Sequence, residues 1–120
     1  MKLDVSVPVT SLPALVDALA PTIAAVAPDA RPIVFGHVNE GNLHVNVLDA
    51  GSLDEEVSDA VLRLVASLDG SISSEHGVGR AKVPWLALSR TPVEIDAMRA
   101  IKTALDPDSL LNPGVLFPPP

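Results

Sequence analysis

The first residues of the chain alternate between apolar and polar side chains. Every second residue from position 3 to position 9 is apolar: Leu3, Val5, Val7 and Val9. A period of two predicts a β-strand with one buried face. Because Pro8 lacks a backbone N–H, it restricts the end of this strand to a sheet edge or to the strand terminus.

Two later stretches have helical periodicity instead. The first apolar stripe consists of Leu12, Leu15, Val16, Leu19, Ile23 and Val26. We expect Thr10 or Ser11 to cap this helix, with Pro13 in its first turn. The second stripe consists of Val57, Val61, Leu64, Val65 and Leu68. Ser52 and Glu55 precede it with the spacing of a capping box, and Gly70 is expected to end it.

Three strands and one more helix complete the predicted elements. Residues 33–38 and 43–48 are typical of strands joined by a turn at residues 39–42. Residues 71–73 are a short fourth strand candidate. The last apolar stripe comprises Ile95, Met98, Ile101 and Leu105. A capping-box pattern at Thr91 and Glu94 predicts the start of this helix.

The element order β-α-β-β-α-β predicts an α+β fold with the split βαβ arrangement of ferredoxin-like domains. A C-terminal helix and an extended arm follow it. We predict that residues 1–76 form the ferredoxin-like half, and that residues 77–120 add helices and the arm to the same single domain. The apolar sides of the first and third strands should face the helices. Polar residues should lie on the other face of the sheet: Lys2, Asp4, Ser6, His44 and Asn46.

Composition restricts what such a domain can do. A chain of 120 residues holds one modest core, and no glycine-rich nucleotide-binding motif is present in it. The net charge of −7 argues against nucleic-acid binding, which needs a basic surface. The absence of cysteine excludes disulfides and thiolate metal sites. We saw no apolar run of membrane-spanning length and no signal peptide, so the expectation is a cytoplasmic protein without a transmembrane segment.

Two histidines flank the predicted hairpin turn. We expect His37 to lie opposite His44 across the hairpin, and Phe35 opposite Asn46. Opposed residues of an antiparallel pair share a face, with Cβ atoms about 4.5–5.5 Å apart. Both imidazoles would then reach one metal ion. The alternative is a pair of half-exposed strand histidines that bind no metal.

Glu75 and His76 follow the fourth predicted strand. If strands one and three start where strands two and four finish, then Lys2, His37, His44 and Glu75 converge at one end of the sheet. Two histidines and a carboxylate form a known catalytic metal site with open positions. His76, which would point elsewhere, is a candidate general base. The alternative for this acid–histidine pair is a solvated loop.

The face opposite the helices also carries apolar groups. Ile33, Phe35 and Leu48 mix with the polar residues there, which indicates a covered surface. One interpretation is that the C-terminal helix and arm pack over them. The other is a surface used for contacts with another protein, including a second copy of the chain.

Four stretches of this sequence carry a resemblance to a known family: residues 4–8, residues 36–46, residues 75–79, and residues 106–107 with 110–114. On these stretches the chain resembles the C-terminal domain of FAD-linked oxidases. This is the family of D-lactate, glycolate and D-2-hydroxyglutarate dehydrogenases among the flavoproteins of the vanillyl-alcohol-oxidase type. The stretches occur in the family order and together span nearly the whole chain.

The resemblance implies a metal site and a base. His37, His44 and Glu75 match the family's ligands for a divalent metal, with zinc and iron as the main candidates. His76 matches the base that takes the hydroxyl proton of the substrate while a hydride passes to the flavin. A metal that binds the hydroxyl of a 2-hydroxy acid lowers its pKa, which suits this chemistry.

The resemblance also implies contacts to substrate and flavin. Lys2 matches a lysine that holds the substrate carboxylate, Asn46 matches a substrate contact, and Asn112 matches a residue near the flavin ring. The chain departs from the family pattern at residues 39–40, where Gly-Asp is usual, and at Val115, where a lysine often stands. These departures spare the metal ligands and affect the substrate pocket.

The implied function is that of a C-terminal domain, a fragment of an FAD-dependent D-2-hydroxy-acid dehydrogenase that converts a 2-hydroxy acid to a 2-keto acid. Its partner would be the FAD-binding domain of the parent protein, without which we expect the chain to be inactive. The residues specify neither the substrate, nor the metal, nor the electron acceptor. The parent enzyme is expected to be cytoplasmic or peripheral to a membrane. The alternatives are a stand-alone metal-binding or ligand-sensing module, and a structural domain that forms homo-oligomers.

Overall fold

The computed structural model describes residues 1–118, which form three strands and three main helices. The strands are β1 (Lys2–Ser6), β2 (Arg31–His37) and β3 (Asn42–Leu48). They make one antiparallel sheet in the order β1-β3-β2. The helices are α1 (Leu12–Val26), α2 (Asp54–Ser67) and α3 (Pro92–Leu105). Short 3₁₀ turns at Val9–Ser11, Val38–Glu40, Gly51–Leu53 and Val83–Leu88 connect them.

The alternation of β1 and β3 places one face of the sheet in the core, as predicted. The buried members are Leu3, Val5, Val7, Leu43, Val45 and Val47. The predicted stripes of α1 and α2 supply the other half of the core, mainly through Leu15, Leu19, Ile23, Val57, Val61 and Val65. The α+β class is therefore confirmed, and the polar residues of β1 and β3 lie on the opposite face.

The hairpin between β2 and β3 has a different register from the predicted one. His37 lies opposite Asn42, and His44 lies opposite Phe35. The predicted pairing of His37 with His44 is wrong because the turn occupies residues 38–41 instead of 39–42. This change moves the partner of His37 from His44 to Asn42. Gly41 takes a left-handed φ of 71° at the end of the 3₁₀ turn, which releases Asn42 into the strand.

The direction of β1 also differs from the expectation. Lys2 lies opposite Asn46 and Ser6 lies opposite Asn42, so β1 is antiparallel to β3. The crossover through α1 makes β2 parallel to β1, and the hairpin then reverses the chain for β3. The prediction that strands one and three start at the same end is therefore wrong, and Lys2 lies at the other end of β1 from the hairpin turn.

The fourth predicted strand is reduced to one bridge between Ser6 and Ser71. Ser6 and Ser71 exchange two backbone hydrogen bonds of 3.1 and 2.7 Å. Beyond this bridge, the backbone N–H groups of residues 74–76 donate to the side chain of Asp4. They do not pair with the backbone of β1, so no fourth strand forms there. The element order stays compatible with a split βαβ domain, and the division of the chain at residue 76 stays a prediction.

The two capping boxes have opposite outcomes. At the start of α3, the Glu94 N–H donates to Thr91 Oγ1 and the Thr91 N–H donates to Glu94 Oε2, which confirms the predicted box. At α2 the helix follows a 3₁₀ turn, its N-cap is Leu53, and no side chain caps it. The box predicted at Ser52 and Glu55 is wrong because that 3₁₀ turn moves the start of the helix past Ser52.

The polar face of the sheet is covered on its β1 side, where the loop of residues 74–76 lies over Asp4, whereas its β2 side stays open to solvent within residues 1–118. Phe35 is 54% exposed, and its neighbours Ile33 and Leu48 are also exposed. Helix α3 buries none of its side chains fully: of its predicted apolar stripe, Ile101 and Leu105 are exposed, and Ile95 and Met98 are half-buried. The interpretation that α3 and the arm cover the sheet is therefore wrong.

One segment, Val9–Val26, is long and apolar enough to cross a membrane. It contains α1, whose residues Leu12, Leu15, Leu19 and Ile23 are buried in the core. Core helices of soluble proteins satisfy the same criterion, so this finding is weak evidence. By length and composition, however, this segment contradicts the expectation that no apolar run approaches membrane-spanning length.

Candidate metal and substrate site

The predicted metal ligands meet on the polar face of the sheet. His44 lies on the central strand with its side chain 16% exposed, and the ring of His37 lies diagonally across from it at 6.3 Å. Glu75 reaches the same place from the loop after the Ser71 bridge, with Oε1 3.5 Å from His37 Nε2. One ligand atom from each of the three residues lies within 4.8 Å of the other two. The trio therefore assembles despite the changed register, because diagonal neighbours on one face of a sheet remain within reach of long side chains.

This arrangement fits a divalent cation. Imidazole nitrogens and carboxylate oxygens bind zinc at about 2.0–2.2 Å, which places the ligand atoms roughly 3–4 Å apart. The side chains of His37 and Glu75 are 58% and 44% exposed, so small rotations close the remaining gap. Two imidazoles and a carboxylate suit zinc or iron.

Asn42 orients the carboxylate of this trio. Asn42 is buried, and its side-chain amide donates a hydrogen bond to Glu75 Oε1. Its own carbonyl oxygen is buried without a partner among the described residues. The second carboxylate oxygen of Glu75 stays available to a ligand.

Asp4 is a buried carboxylate beneath the cluster, with only 3% exposure. Its Oδ2 accepts hydrogen bonds from three successive backbone N–H groups, those of Ser74, Glu75 and His76, at 2.9, 2.7 and 3.0 Å. Burial raises the pKa of Asp4, but these three bonds outweigh it and hold the pKa below its ordinary value. The other oxygen, Oδ1, lies 3.5 Å from His44 Nδ1.

Lys82 is the buried cation of the site, with 8% exposure. Its Nζ donates to the backbone oxygens of Asp4 and Ile72, at 2.7 and 2.6 Å. Burial lowers the pKa of Lys82, and the negative charge of Asp4 opposes that effect. Lys82 thereby joins β1 to the segment that leads into Glu75.

A cleft of about 490 Å³ adjoins the cluster. Its lining includes Lys2, Phe35, His44, Asn46, His76, Gly79, Arg80 and Lys82. Lys2 and Asn46 are opposed across β1 and β3, so the two predicted substrate contacts share this wall with His44 and His76. The rings of His76 and His44 stack with centroids 5.4 Å apart. The lining holds three cationic side chains and one carboxylate, Asp4, and this positive balance favours an anionic ligand such as a carboxylate.

Asn112 is not part of the cleft lining. It has a left-handed φ of 48° in a turn that Arg80 holds, with Nε of Arg80 donating to the Pro113 oxygen at 3.1 Å. The Leu116 N–H donates to the Gly79 oxygen at 2.9 Å. These bonds attach the turn that contains Asn112 to the rim of the cleft.

Residues 1–116 match the family model described as FAD linked oxidases, C-terminal domain. The chain belongs to this family. Two proteins named D-2-hydroxyglutarate dehydrogenase, from Stutzerimonas stutzeri and Xanthomonas citri pv. viticola, are 38% and 44% identical to it over 97% of the chain. The glycolate oxidase subunit GlcD of Bacillus subtilis is 34% identical over 95% of the chain. The family resemblance of the four sequence stretches is thus confirmed.

The chain spans about a quarter of the length of these curated relatives, namely 27%, 26% and 25%. As a C-terminal domain of the FAD-linked oxidases, it belongs to a family of enzymes that includes dehydrogenases and oxidases. The roles assigned to its individual residues stay predictions.

Sequence patterns missed four residues that shape the site: Asp4, Asn42, Arg80 and Lys82. The alternation of β1 did place Asp4 on the polar face, but it gave no sign that the loop after Ser71 would bury it. Asn42 was placed in the turn rather than in the strand. The two cations had no periodic signal, because they lie in an irregular segment.

Proposed function

We propose that this chain forms the metal- and substrate-binding part of an FAD-dependent D-2-hydroxy-acid dehydrogenase, which oxidises a 2-hydroxy acid to a 2-keto acid. The main support is the meeting of His37, His44 and Glu75 beside a cationic cleft that contains His76. The parent protein would supply the FAD-binding domain, and the chain alone would be inactive. Cytoplasmic location and self-association stay predictions.

His37, His44 and Glu75 would hold the divalent cation, zinc or iron, at the edge of the cleft. Such a cation, when bound, lowers the pKa of a hydroxyl that coordinates it. Asn42 keeps one Glu75 oxygen engaged through its amide. His44, the most buried member of the trio, sets the position of the site relative to the sheet.

His76 would take the proton of the substrate hydroxyl. Its ring stacks on that of His44, so a hydroxyl held at the cluster would lie next to an imidazole that lines the cleft. A neutral imidazole is a suitable base near pH 7. Bound FAD would supply the hydride acceptor.

Lys2 and Asn46 would bind the carboxylate of the substrate. They are neighbours across β1 and β3, two residues from Asp4 and His44 along their strands. A carboxylate placed between them would leave the 2-hydroxyl directed towards His44. Lys82 and Arg80 add positive charge to the same cleft, which strengthens the attraction for an acid.

The metal site is tested by measuring the metal content of the purified chain after exposure to Zn²⁺. We expect about one ion per chain for the native sequence and a loss of at least tenfold in affinity for His37→Ala. Equal binding by both proteins would contradict the proposed site. The control is Ser58→Ala, because Ser58 lies on α2, which packs against the face of the sheet opposite the proposed ligands.

The catalytic role is tested in a chimera in which this chain replaces the corresponding quarter of the Xanthomonas citri relative. We expect turnover of a D-2-hydroxy acid, and a decrease in kcat of about 10²–10⁴-fold for His76→Ala with unchanged metal content. Undiminished turnover by His76→Ala would contradict the assignment of the base. A chimera that holds metal but has no activity would favour the stand-alone metal-binding module.

A further inference from the structure

The carboxylate of Asp4 contacts both halves of the proposed metal site. Its Oδ2 holds the backbone of residues 74–76, and its Oδ1 lies beside His44. We propose that Asp4 is a positioning residue that fixes the metal-binding geometry through His44 and through the loop that carries Glu75 and His76. The proposal rests on the proposed function, which assigns the metal ligands.

Asp4 Oδ2 sets the conformation of the loop that carries Glu75 and His76. Three successive N–H groups that point at one oxygen impose a tight bend on residues 74–76. Within this bend the neighbouring side chains separate: Glu75 extends to His37, and His76 stacks on His44. A backbone with other hydrogen-bond partners would not direct the acid to His37 and the imidazole to His44. Asp4 is thus the side chain that gives two adjacent residues two different functions.

The tautomer of His44 depends on its carboxylate neighbour, Asp4. Asp4 Oδ1 is buried and has no hydrogen-bond partner among residues 1–118, and it lies 3.5 Å from His44 Nδ1. A carboxylate in this position favours the proton on Nδ1. The other ring nitrogen, Nε2, is then left without a proton and can bind a cation. Carboxylates behind metal-binding histidines commonly act in this way.

Lys82 provides the support for this arrangement. A buried carboxylate is costly unless a counter-charge and hydrogen bonds compensate it. The Lys82 ammonium lies close by, bound to the backbone oxygens of Asp4 and Ile72. It also holds β1 against Ile72, two residues before the bend. Asp4 is therefore fixed at both its backbone and its side chain.

The first test is a Zn²⁺ titration of the 120-residue chain and of Asp4→Asn. Asparagine keeps the shape of the side chain, but one of its two polar atoms becomes a donor. We expect Asp4→Asn to bind Zn²⁺ about 10–100-fold more weakly than the native chain. The matched control is Asp106→Asn, because Asp106 is also buried and also accepts backbone N–H bonds, from Leu110 and Leu111, but lies outside the cluster. We expect the control to bind Zn²⁺ as the native chain does.

The second test needs no metal and is independent of stability. Long-range ¹H–¹⁵N NMR spectra report which nitrogen of His44 carries the proton. We expect Nδ1–H in the native chain and a shift towards Nε2–H in Asp4→Asn. A role in stability alone would leave the tautomer unchanged in any variant that still folds.

The outcomes separate this proposal from the proposed function. Equal Zn²⁺ affinity for Asp4→Asn and the native chain, when His37→Ala is weakened, would overturn the positioning role and leave the metal site intact. If the native chain binds Zn²⁺ no better than His37→Ala, the proposed metal site is wrong. The NMR measurement of the His44 tautomer then shows whether Asp4 still positions that ring. If Asp4→Asn does not fold, the native spectrum decides, since a proton on Nε2 of His44 contradicts the proposal.

Discussion

Gly41 shows how one residue sets the geometry of the site. It closes the turn between β2 and β3 with a φ of 71°, and a Cβ there would lie 2.0 Å from the Val7 oxygen. The position therefore needs a residue with no side chain as well as a left-handed backbone. Since this turn decides which residue faces His44, Gly41 determines the relative position of the two histidine ligands.

We predict that Gly41→Ala destabilises the fold far more than Gly51→Ala. Both glycines have a left-handed φ, which costs an alanine roughly 1–2 kcal/mol, but nothing lies within 4 Å of a Cβ at Gly51. The difference between the two variants isolates the clash with the backbone of Val7. Urea denaturation measures it, and similar losses for both variants would show that the loop relaxes around the added methyl group.

At the scale of elements, periodicity predicted the core strands and helices well, because a repeat of two or of three to four positions directly reflects burial on one face. It failed at residues 71–73, where a single bridge replaces a strand. It also failed at Ser52, where a 3₁₀ turn takes the place of a cap. Such short features depend on neighbours distant in sequence, and local spacing carries no information about them.

The capping boxes give a paired prediction. Thr91→Ala should cost helix α3 about 1 kcal/mol, because it removes the acceptor for the Glu94 N–H. Ser52→Ala should leave α2 unchanged, since no side chain caps that helix. Amide hydrogen exchange measures both, with exchange about fivefold faster in the first turn of α3 for Thr91→Ala. Equal effects on the two helices would contradict the assignment of the caps.

The C-terminal end of α3 should depend on pH through Asp106. The hydrogen bond from Lys102, and then the N–H of Leu111 and of Leu110, hold the pKa of Asp106 below 3.8, its ordinary value. A lowered carboxyl pKa stabilises the folded form above pH 3.8, and this stabilisation is lost as the pH falls through the lowered value. The Leu110 and Leu111 amide shifts should follow this loss, and Asp106→Asn should abolish their pH dependence. A midpoint at or above pH 4 in the pH dependence of these amide shifts would contradict the predicted lowering of the Asp106 pKa.

At the scale of the whole molecule, the described chain consists of a packed core and an exposed C-terminal part. Its radius of gyration of 15.4 Å exceeds the value of about 13.6 Å expected for a compact domain of 120 residues. The core joins β1, β3, α1 and α2, whereas α3 contributes no buried residue. Several exposed apolar side chains lie on α3 and after it: Val93, Ile101, Leu105, Leu110 and Leu111.

This division predicts the order of proteolysis. Trypsin should cleave after Arg99 in α3 well before it cleaves after Arg63 in α2, because α3 opens locally without disrupting the core. The two sites are matched in that both arginines lie inside helices. Mass spectrometry of the early fragments measures the order. Simultaneous cleavage at both arginines would show that α3 unfolds only with the core.

The sequence by itself determined the α+β class, the buried faces of β1, β3, α1 and α2, and the family, because apolar repeats and local motifs carry these properties. It also identified His37, His44, Glu75 and His76 as candidates. Only the tertiary structure decided the hairpin register, the direction of β1, the exposure of α3 and the burial of Asp4 and Lys82. These features arise where segments distant in sequence meet, since the environment of a charge is set by what folds over it.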